Sequence, residues 1–224
     1  MPSGPALASV LLVTLEVALA STLLGLALGV PLAYLLSRSR FPGRDLVLGA
    51  TALPLVVPPT AVGFIWLEIL ADRGPLGRDT LGFDLDVLFT WKAAVLASTV
   101  MAFPLIVRTA KIAFDAVDPK LEDMARTLGH GRLAVFRRFV LPLARRGLIA
   151  AGLLGFVRSL GEFGATITLA GNIAGKTQTV ATAIYTAQQS GSRAQAAVLV
   201  AIALAAGLAA TLFAERLTGA ERVS

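Results

Sequence analysis

Long apolar runs constrain this chain more than any other feature of its sequence. A membrane-spanning helix needs about 20 apolar residues, and five runs reach that length, at about 8–37, 46–71, 87–114, 143–170 and 194–214. Of the 224 residues 56% are hydrophobic and only 15% are charged, whereas soluble domains have about a quarter charged. We therefore expect an all-α polytopic membrane protein with about five transmembrane helices, built as one domain over residues 1–224.

The second apolar run is unusual because it contains Pro54, Pro58 and Pro59. Proline lacks the backbone N–H of a helical residue and its ring clashes with the preceding turn. We therefore expect this helix to be kinked or broken at the prolines. A packing kink and a break with a function are both compatible with the sequence.

Basic residues fall mainly in alternate loops. Three lie within residues 38–44, nine within 108–146 and two, Arg216 and Arg222, in the tail, so fourteen of the twenty share one side of a five-span chain. Because positive loops stay in the cytoplasm, we expect the N-terminus outside and the C-terminus inside. The same rule accounts for the net charge of +6, so nucleic acid is not expected as a partner.

A charged segment at about 115–142 separates the third run from the fourth. Asp118-Pro119 is typical of a helix start, and Gly129 suits the position that ends a helix with positive φ. One face of the intervening helix is apolar: Leu121, Met124, Ala125 and Leu128. Since so short a helix is marginal in water, we expect it to pack against its own protein or a partner, with anionic lipid as the alternative.

A second helical piece is predicted after the turn at His130-Gly131. It should run from Arg132 to about Val140 and end at Leu141-Pro142, because proline disfavours a helical conformation in the residue before it.

The charged segment resembles the EAA motif of bacterial ABC-transporter permeases, which reads Glu-Ala-Ala, three residues, Gly, nine residues, Ile-x-Leu-Pro. Asp123-Met124-Ala125 is followed at the same spacings by Gly129 and by Phe139-Val140-Leu141-Pro142. Asp, Met and Phe replace the usual Glu, first Ala and Ile, while Glu122 keeps a second acid in place. In that family the element is a coupling helix that docks into the nucleotide-binding subunit. The resemblance implies such a surface at Leu121, Glu122, Asp123, Met124, Ala125, Leu128 and Gly129.

Another stretch is similar to the molybdate permease (ModB) family. It comprises the sequence RSLGEFGATIT at 158–168, AGNI at 170–173 and KTQT at 176–179. The GEFG core is shared with sulfate and thiosulfate permeases, whereas the ATIT and GNI continuations favour molybdate. The resemblance implies a type I ABC importer permease of the bacterial inner membrane, with sulfate, thiosulfate or tungstate as alternative substrates. It also implies a permease homodimer, a nucleotide-binding ATPase subunit and an extracytoplasmic oxyanion-binding protein as partners.

The fourth run carries the candidate translocation residues. Arg158 and Glu162 are four apart, so we expect them to share a helix face and pair; a structural lock and a role in conduction are both open. Weak neutral donors suit an anion path, because a ring of arginines would trap the ion, and small glycines let backbones approach. The candidates are Arg158, Gly161, Glu162, Gly164, Thr166, Thr168, Asn172 and Thr177.

Other functional classes fit the sequence less well. An ion channel or a secondary transporter is the alternative of another class, but a secondary transporter would more often have inverted repeats, and a membrane scaffold would not need the glycine turn. The chain has no cysteine and one histidine, so neither a metal site nor a cofactor is expected. It also lacks the GxxxxGK[ST] nucleotide-binding sequence, so we expect a transport subunit, not an enzyme, with ATP hydrolysed by a separate partner.

Overall fold

The computed structural model describes residues 7–219, and this range is all-helical, in agreement with the predicted fold class. Arg222, which contributed to the predicted orientation, lies outside the described residues. The helices are α1 (Leu7–Arg38), α2 (Arg44–Val56), α3 (Pro59–Leu70), α4 (Arg78–Leu81), α5 (Trp91–Asp115), α6 (Pro119–Thr127), α7 (Arg132–Val135), α8 (Leu141–Leu160), α9 (Gly164–Leu169), α10 (Val180–Gln189) and α11 (Arg193–Gly219), with a π-helical turn at Phe136–Val140 between α7 and α8.

Four helical segments within the described residues are long and apolar enough to cross a membrane: Leu7–Arg38, Trp91–Asp115, Arg132–Leu160 and Arg193–Leu212. A fifth crossing is available only if α2 and α3 are taken together as one span, and the chain bends by 112° between these two helices. The bend falls at Val57-Pro58, so the prediction of a broken second helix at its prolines is confirmed.

The relative direction of α1 and α5 shows the path that the chain takes through α2 and α3. Near their first turns, Val13 packs with Ala93 in one apolar cluster, and at their last turns the Ser37 hydroxyl donates to Asp115 Oδ1 at 2.6 Å. The two helices are therefore parallel, and the chain must return between them. The pair α2–α3 makes that return, because Val62 of α3 joins the cluster at the first turns. We call the end with Ser37 and Asp115 the coupling end, and the opposite one the distal end.

Helix α5 lies between α1 and α8 at the centre of the bundle. Its Ile106 is fully buried between two glycines, since a β-carbon at Gly25 of α1 would lie 2.6 Å from Ile106 Cδ1 and one at Gly155 of α8 would lie 2.7 Å from it. A larger residue at either position would displace the Ile106 side chain. Close packing of this kind is what holds helices together in a lipid environment.

The fourth span ends earlier than its sequence predicts. We expected one helix over about 143–170, but α8 stops at Leu160 and a three-residue turn leads into the separate helix α9. Gly161 supplies the C-terminal cap of α8. Since glycine has no side chain to continue the helical face and carries a high entropic cost within a helix, it favours a stop here.

The helical piece after Gly131 does not end at Pro142 as predicted. It continues through the π turn, in which the Leu141 N–H bonds the Phe136 carbonyl, directly into α8. Pro142 lies in the first turn of α8. In the π turn the hydrogen bonds join residues five apart instead of four. The missing N–H of Pro142 is therefore accommodated without a break in the helix.

Candidate functional site

Helix α6 has the predicted start and end. The Asp118 side chain accepts the Lys120 N–H at 2.9 Å, and proline occupies the first helical position. At the other end Gly129 has φ of 86°, its N–H bonds the Arg126 carbonyl at 2.9 Å, and the next N–H reaches back to the Ala125 carbonyl at 3.2 Å. These two bonds form a Schellman motif. Local sequence therefore determines both limits of this nine-residue helix.

The outer face of α6 is apolar and has no partner among the described residues. Leu121 is 44% exposed, Met124 62% and Leu128 78%, whereas Ala125 is buried against the bundle. Asp123 flanks them with its carboxylate in solvent. We refer to Leu121, Met124 and Leu128 as the α6 ridge. Exposed apolar side chains of this size on one short helix are typical of a surface that a partner protein or the membrane covers.

Glu122 departs from its predicted place on the partner surface. Its side chain is almost completely buried and lies inside the subunit. The carboxylate accepts hydrogen bonds from Arg38 Nε at 2.5 Å and from the Tyr34 hydroxyl at 3.1 Å, and Arg126 lies 3.5 Å away. Arg38 also donates to the Val117 carbonyl at 2.9 Å. Burying a carboxylate is costly unless it is paired and hydrogen-bonded, and here it is both.

At the distal end, Arg158 and Glu162 form the predicted ion pair, 2.8 Å apart, but not on one helix. Arg158 is in the last turn of α8, whereas Glu162 follows Gly161 in the turn beyond it. Glu162 also accepts the N–H of Ala165 in α9 at 3.0 Å. The buried carboxylate thus joins two helices instead of lining the face of one.

The two candidate glycines differ in their surroundings. A β-carbon at Gly164 would lie 2.9 Å from Pro59 Cβ, and one at Gly63 would lie 2.9 Å from Thr168 Cβ, so α3 and α9 pack backbone against backbone. A β-carbon at Gly161 would meet nothing within 4 Å. The expectation of close backbone approach is confirmed at Gly164 and wrong at Gly161, which serves instead to end α8.

The candidate hydroxyls and amide are divided between interior and surface. Thr166 and Thr177 are buried, and Thr177 accepts a backbone N–H at 2.9 Å. Thr168 is half-buried and donates to a backbone carbonyl at 2.9 Å. Asn172, also half-buried, donates to the Thr186 hydroxyl at 2.6 Å. In a single subunit, Thr166 and Thr177 therefore lie in the interior, while Thr168 and Asn172 lie nearer the surface.

Sequence reasoning missed Arg38 and Tyr34 as functional candidates. Arg38 was interpreted only as a cytoplasmic charge, and Tyr34 as one residue of an apolar run. Their contact with Glu122 spans more than 80 positions of the chain. The one available signal was a second acid, Glu122, on a helix that is expected to dock, together with a basic residue at the end of a span.

The side chains at these two ends offer surface and weak polar groups. No group of three or more His, Asp or Glu side chains within residues 7–219 is arranged to hold a metal ion. The α6 ridge offers apolar surface at the coupling end, and residues 158–182 at the distal end, which we call the distal segment, offer hydroxyl, amide and one guanidinium group. Such weak donors suit transient contact with an anion.

Comparison with known proteins identifies the class of this chain. Residues 5–220 match the family described as "Binding-protein-dependent transport system inner membrane component". Because the match covers nearly the whole chain, the protein belongs to this family and is a multi-pass component of the inner membrane. The predictions of an ABC permease and of a transport subunit rather than an enzyme are confirmed by this membership.

Two curated relatives narrow the class further. The chain is 43% identical over 213 residues to the molybdenum transport system permease protein ModB of Escherichia coli K12, covering 94% of this chain and 93% of the relative. It is 35% identical over 206 residues to the sulfate transport system permease protein CysT of Salmonella typhimurium, covering 92% of this chain and 74% of that protein.

A solved structure of the MetNI methionine ABC transporter, described as inward facing, has the same fold. It superposes with a TM-score of 0.72 at 20% identity, covering 96% of this chain and 95% of that one. At this level of identity the likeness concerns the fold alone, which is that of type I ABC importer permeases.

Proposed function

We propose that this chain is the permease subunit of an ATP-driven importer that moves molybdate across the cytoplasmic membrane. The observation that carries the proposal is the 43% identity to a molybdenum permease along nearly the full length of both chains. The sulfate permease is less similar and longer than this chain. Sulfate is the alternative substrate, together with thiosulfate and tungstate, which share the oxyanion chemistry.

The α6 ridge is the docking surface for a nucleotide-binding subunit in this proposal. Three exposed apolar side chains, Leu121, Met124 and Leu128, fit an apolar groove on a partner, and the basic side chains around them add charge at the rim. Glu122 is not part of this surface. The partner supplies the ATPase activity, and an extracytoplasmic binding protein supplies the substrate.

The orientation we propose has the coupling end in the cytoplasm and the N-terminus outside. Its support is that Arg38 at the end of α1 contacts Glu122 of α6, so the basic loop at 38–44 and the basic segment at 108–146 lie at one end of the bundle. Positive charge concentrated at one end is the cytoplasmic signature. Helix α11 packs beside Val10 near its start, at the distal end, and further along Ala210 lines a cleft with α1 and α8 residues that lie closer to the coupling end, so α11 runs toward the coupling end and we place the C-terminus in the cytoplasm.

The translocation path in this proposal runs between two copies of the chain. Arg158 is partly exposed and Gly161 is exposed on the surface of one subunit, and Thr168 and Asn172 are half-buried nearby in sequence. A second copy facing this surface would enclose a path lined by neutral donors. Glu162 and Gly164 would pack behind the residues that line the path, and Thr166 and Thr177 would lie in the interior of each subunit.

Purification of the complex tests the proposed assembly. A tagged permease co-expressed with the nucleotide-binding subunit should retain it through detergent extraction, and the complex should hydrolyse ATP in a vanadate-sensitive way. Replacing Leu121 and Met124 by Asp should release the ATPase subunit while the permease stays in the membrane. Retention of the ATPase subunit by this variant would exclude the α6 ridge as its docking surface.

A further inference from the structure

The contact between α6 and α1 is built from several polar and aromatic groups at one point. Glu122 bonds both Arg38 and Tyr34 of α1. The Tyr34 ring packs edge-on against Phe114 of α5, with centroids 5.3 Å apart, and against Phe136 of the π turn, with centroids 4.8 Å apart. Glu122 and Tyr34 together therefore connect four elements: α6, α1, α5 and the π turn.

Helix α1 extends from this contact to the distal polar segment. Its 32 residues correspond to about 48 Å at 1.5 Å per residue. Near the far end, the Thr14 hydroxyl accepts the N–H of Val180 at 2.8 Å, next to the capping box that Thr179 and Thr182 form at the start of α10. One continuous helix, with Pro31 inside it, thus touches α6 at one end and the distal segment at the other.

We infer that Arg38 and Tyr34 are positioning residues that transmit displacement of α6 to α1, and through α1 to the distal segment. This inference rests on the proposed docking of α6 to an ATPase subunit. A buried ion pair resists separation, because each charge left alone would lie in apolar surroundings. Arg38 also holds the Val117 carbonyl, so the entry to α6 and its first turn move together with the end of α1.

A purely structural role for the same contact makes a different prediction. A lock that only holds the fold would, when weakened, lower the amount of assembled complex, while each assembled complex worked normally. A transmitting contact would, when weakened, leave ATP hydrolysis running while less substrate crossed per ATP. The quantity that separates the two roles is molybdate imported per ATP hydrolysed, counted per assembled complex.

The test uses the full complex of permease, ATPase subunit and binding protein in proteoliposomes. Tyr34→Phe removes only the hydroxyl that bonds Glu122 and keeps the ring against Phe114 and Phe136. The double variant Arg38→Gln/Glu122→Gln removes both charges together, so neither is left buried alone. Arg38→Lys keeps the charge but loses the planar fork that reaches both Glu122 and Val117.

We expect normal assembly and ATP hydrolysis in Tyr34→Phe, with molybdate per ATP reduced about two- to tenfold, the effect of one hydrogen bond. The double variant should lose at least about fivefold, as for a typical coupling between sites, and Arg38→Lys should retain part of the coupling. The inference would be overturned if Tyr34→Phe and the double-variant complexes that assemble all imported the normal amount of molybdate per ATP. A lower yield of assembled complex would not alter that conclusion.

A matched control is available at the same end of the bundle. Lys111 and Asp115 pair within α5, and Lys111→Met breaks this ion pair while it leaves the bonds from Ser37 to Asp115 and from Arg38 to Glu122 in place. It should leave molybdate per ATP unchanged, and a loss as large as that of the double variant would also contradict the inference. Failure of the unmodified complex to import molybdate with ATP would instead contradict the proposed function.

Discussion

Glu162 pairs with Arg158 across the end of a helix, since Arg158 lies in the last turn of α8 and Glu162 follows the residue that caps it. The same carboxylate accepts the Ala165 N–H at the start of α9. It therefore fixes the angle between two helices. Its 2% exposure favours a structural lock over a role on the translocation path.

Substitution at Glu162 tests the lock. Glu162→Ala removes the ion pair and the bond to Ala165, and we expect a loss of about 1.5–3 kcal/mol in stability for the bond to a charged group. Glu162→Gln keeps an acceptor oxygen and should lose less. Thermal unfolding in detergent measures both, and the uptake rate per assembled complex should stay constant. A slower rate per complex in Glu162→Gln with unchanged stability would favour a conduction role instead.

Gly129 is predicted to be essential for coupling because it ends α6 with φ of 86°. In Gly129→Pro the ring fixes φ near the opposite sign and removes the N–H that bonds the Arg126 carbonyl. The forced backbone would cost about 1–3 kcal/mol, so the membrane helices should insert while ATP-dependent uptake is lost. Gly131→Ala is the control, since Gly131 has φ of −67° and open space around it. Normal uptake with Gly129→Pro would remove this turn from the mechanism.

The membrane orientation can be measured by cysteine labelling, because the natural chain has no cysteine. Ser39→Cys and Gly131→Cys should resist an impermeant thiol reagent added to intact cells, since both lie at the coupling end. Asp79→Cys, in the short exposed helix α4 between α3 and α5, should react. Labelling after permeabilisation is the control for accessibility. Reaction of Gly131→Cys in intact cells would reverse the proposed orientation and exclude ATPase docking at α6.

The contact between α3 and α9 predicts a sharp difference between two glycines three residues apart. Gly164→Ala places a methyl group 2.9 Å from Pro59 Cβ, whereas the methyl of Gly161→Ala meets nothing within 4 Å. Overpacking costs about 1–3 kcal/mol, so the first variant should unfold at lower temperature and the second should match the natural chain. Equal stability of the two variants would contradict the backbone packing of α3 on α9.

Features governed by neighbouring residues could be predicted from the sequence. The cap at Asp118, the left-handed Gly129 and the break at Pro58 each follow from the conformational limits of one residue and its immediate partners. The apolar runs likewise predicted the all-α class, because hydropathy is a property of a continuous segment.

Features that depend on tertiary packing could not be predicted. A spacing of four favours a helical pair for Arg158 and Glu162, yet the stop at Gly161 places the two residues on either side of a helix end. Glu122 was assigned to a partner surface because nothing in the sequence connects it with Arg38, which is distant in the chain. The burial of Thr166 and Thr177 is likewise a tertiary property that a local sequence pattern does not reveal.

The most direct test of the central claim is uptake of radiolabelled molybdate by proteoliposomes that hold the permease and its ATPase subunit, with the binding protein added outside. The account predicts that radiolabel accumulates only when ATP is inside the vesicles and all three components are present. Excess unlabelled molybdate should reduce this accumulation far more than an equal concentration of sulfate does. Accumulation without the ATPase subunit, or transport of sulfate with no transport of molybdate, would contradict it.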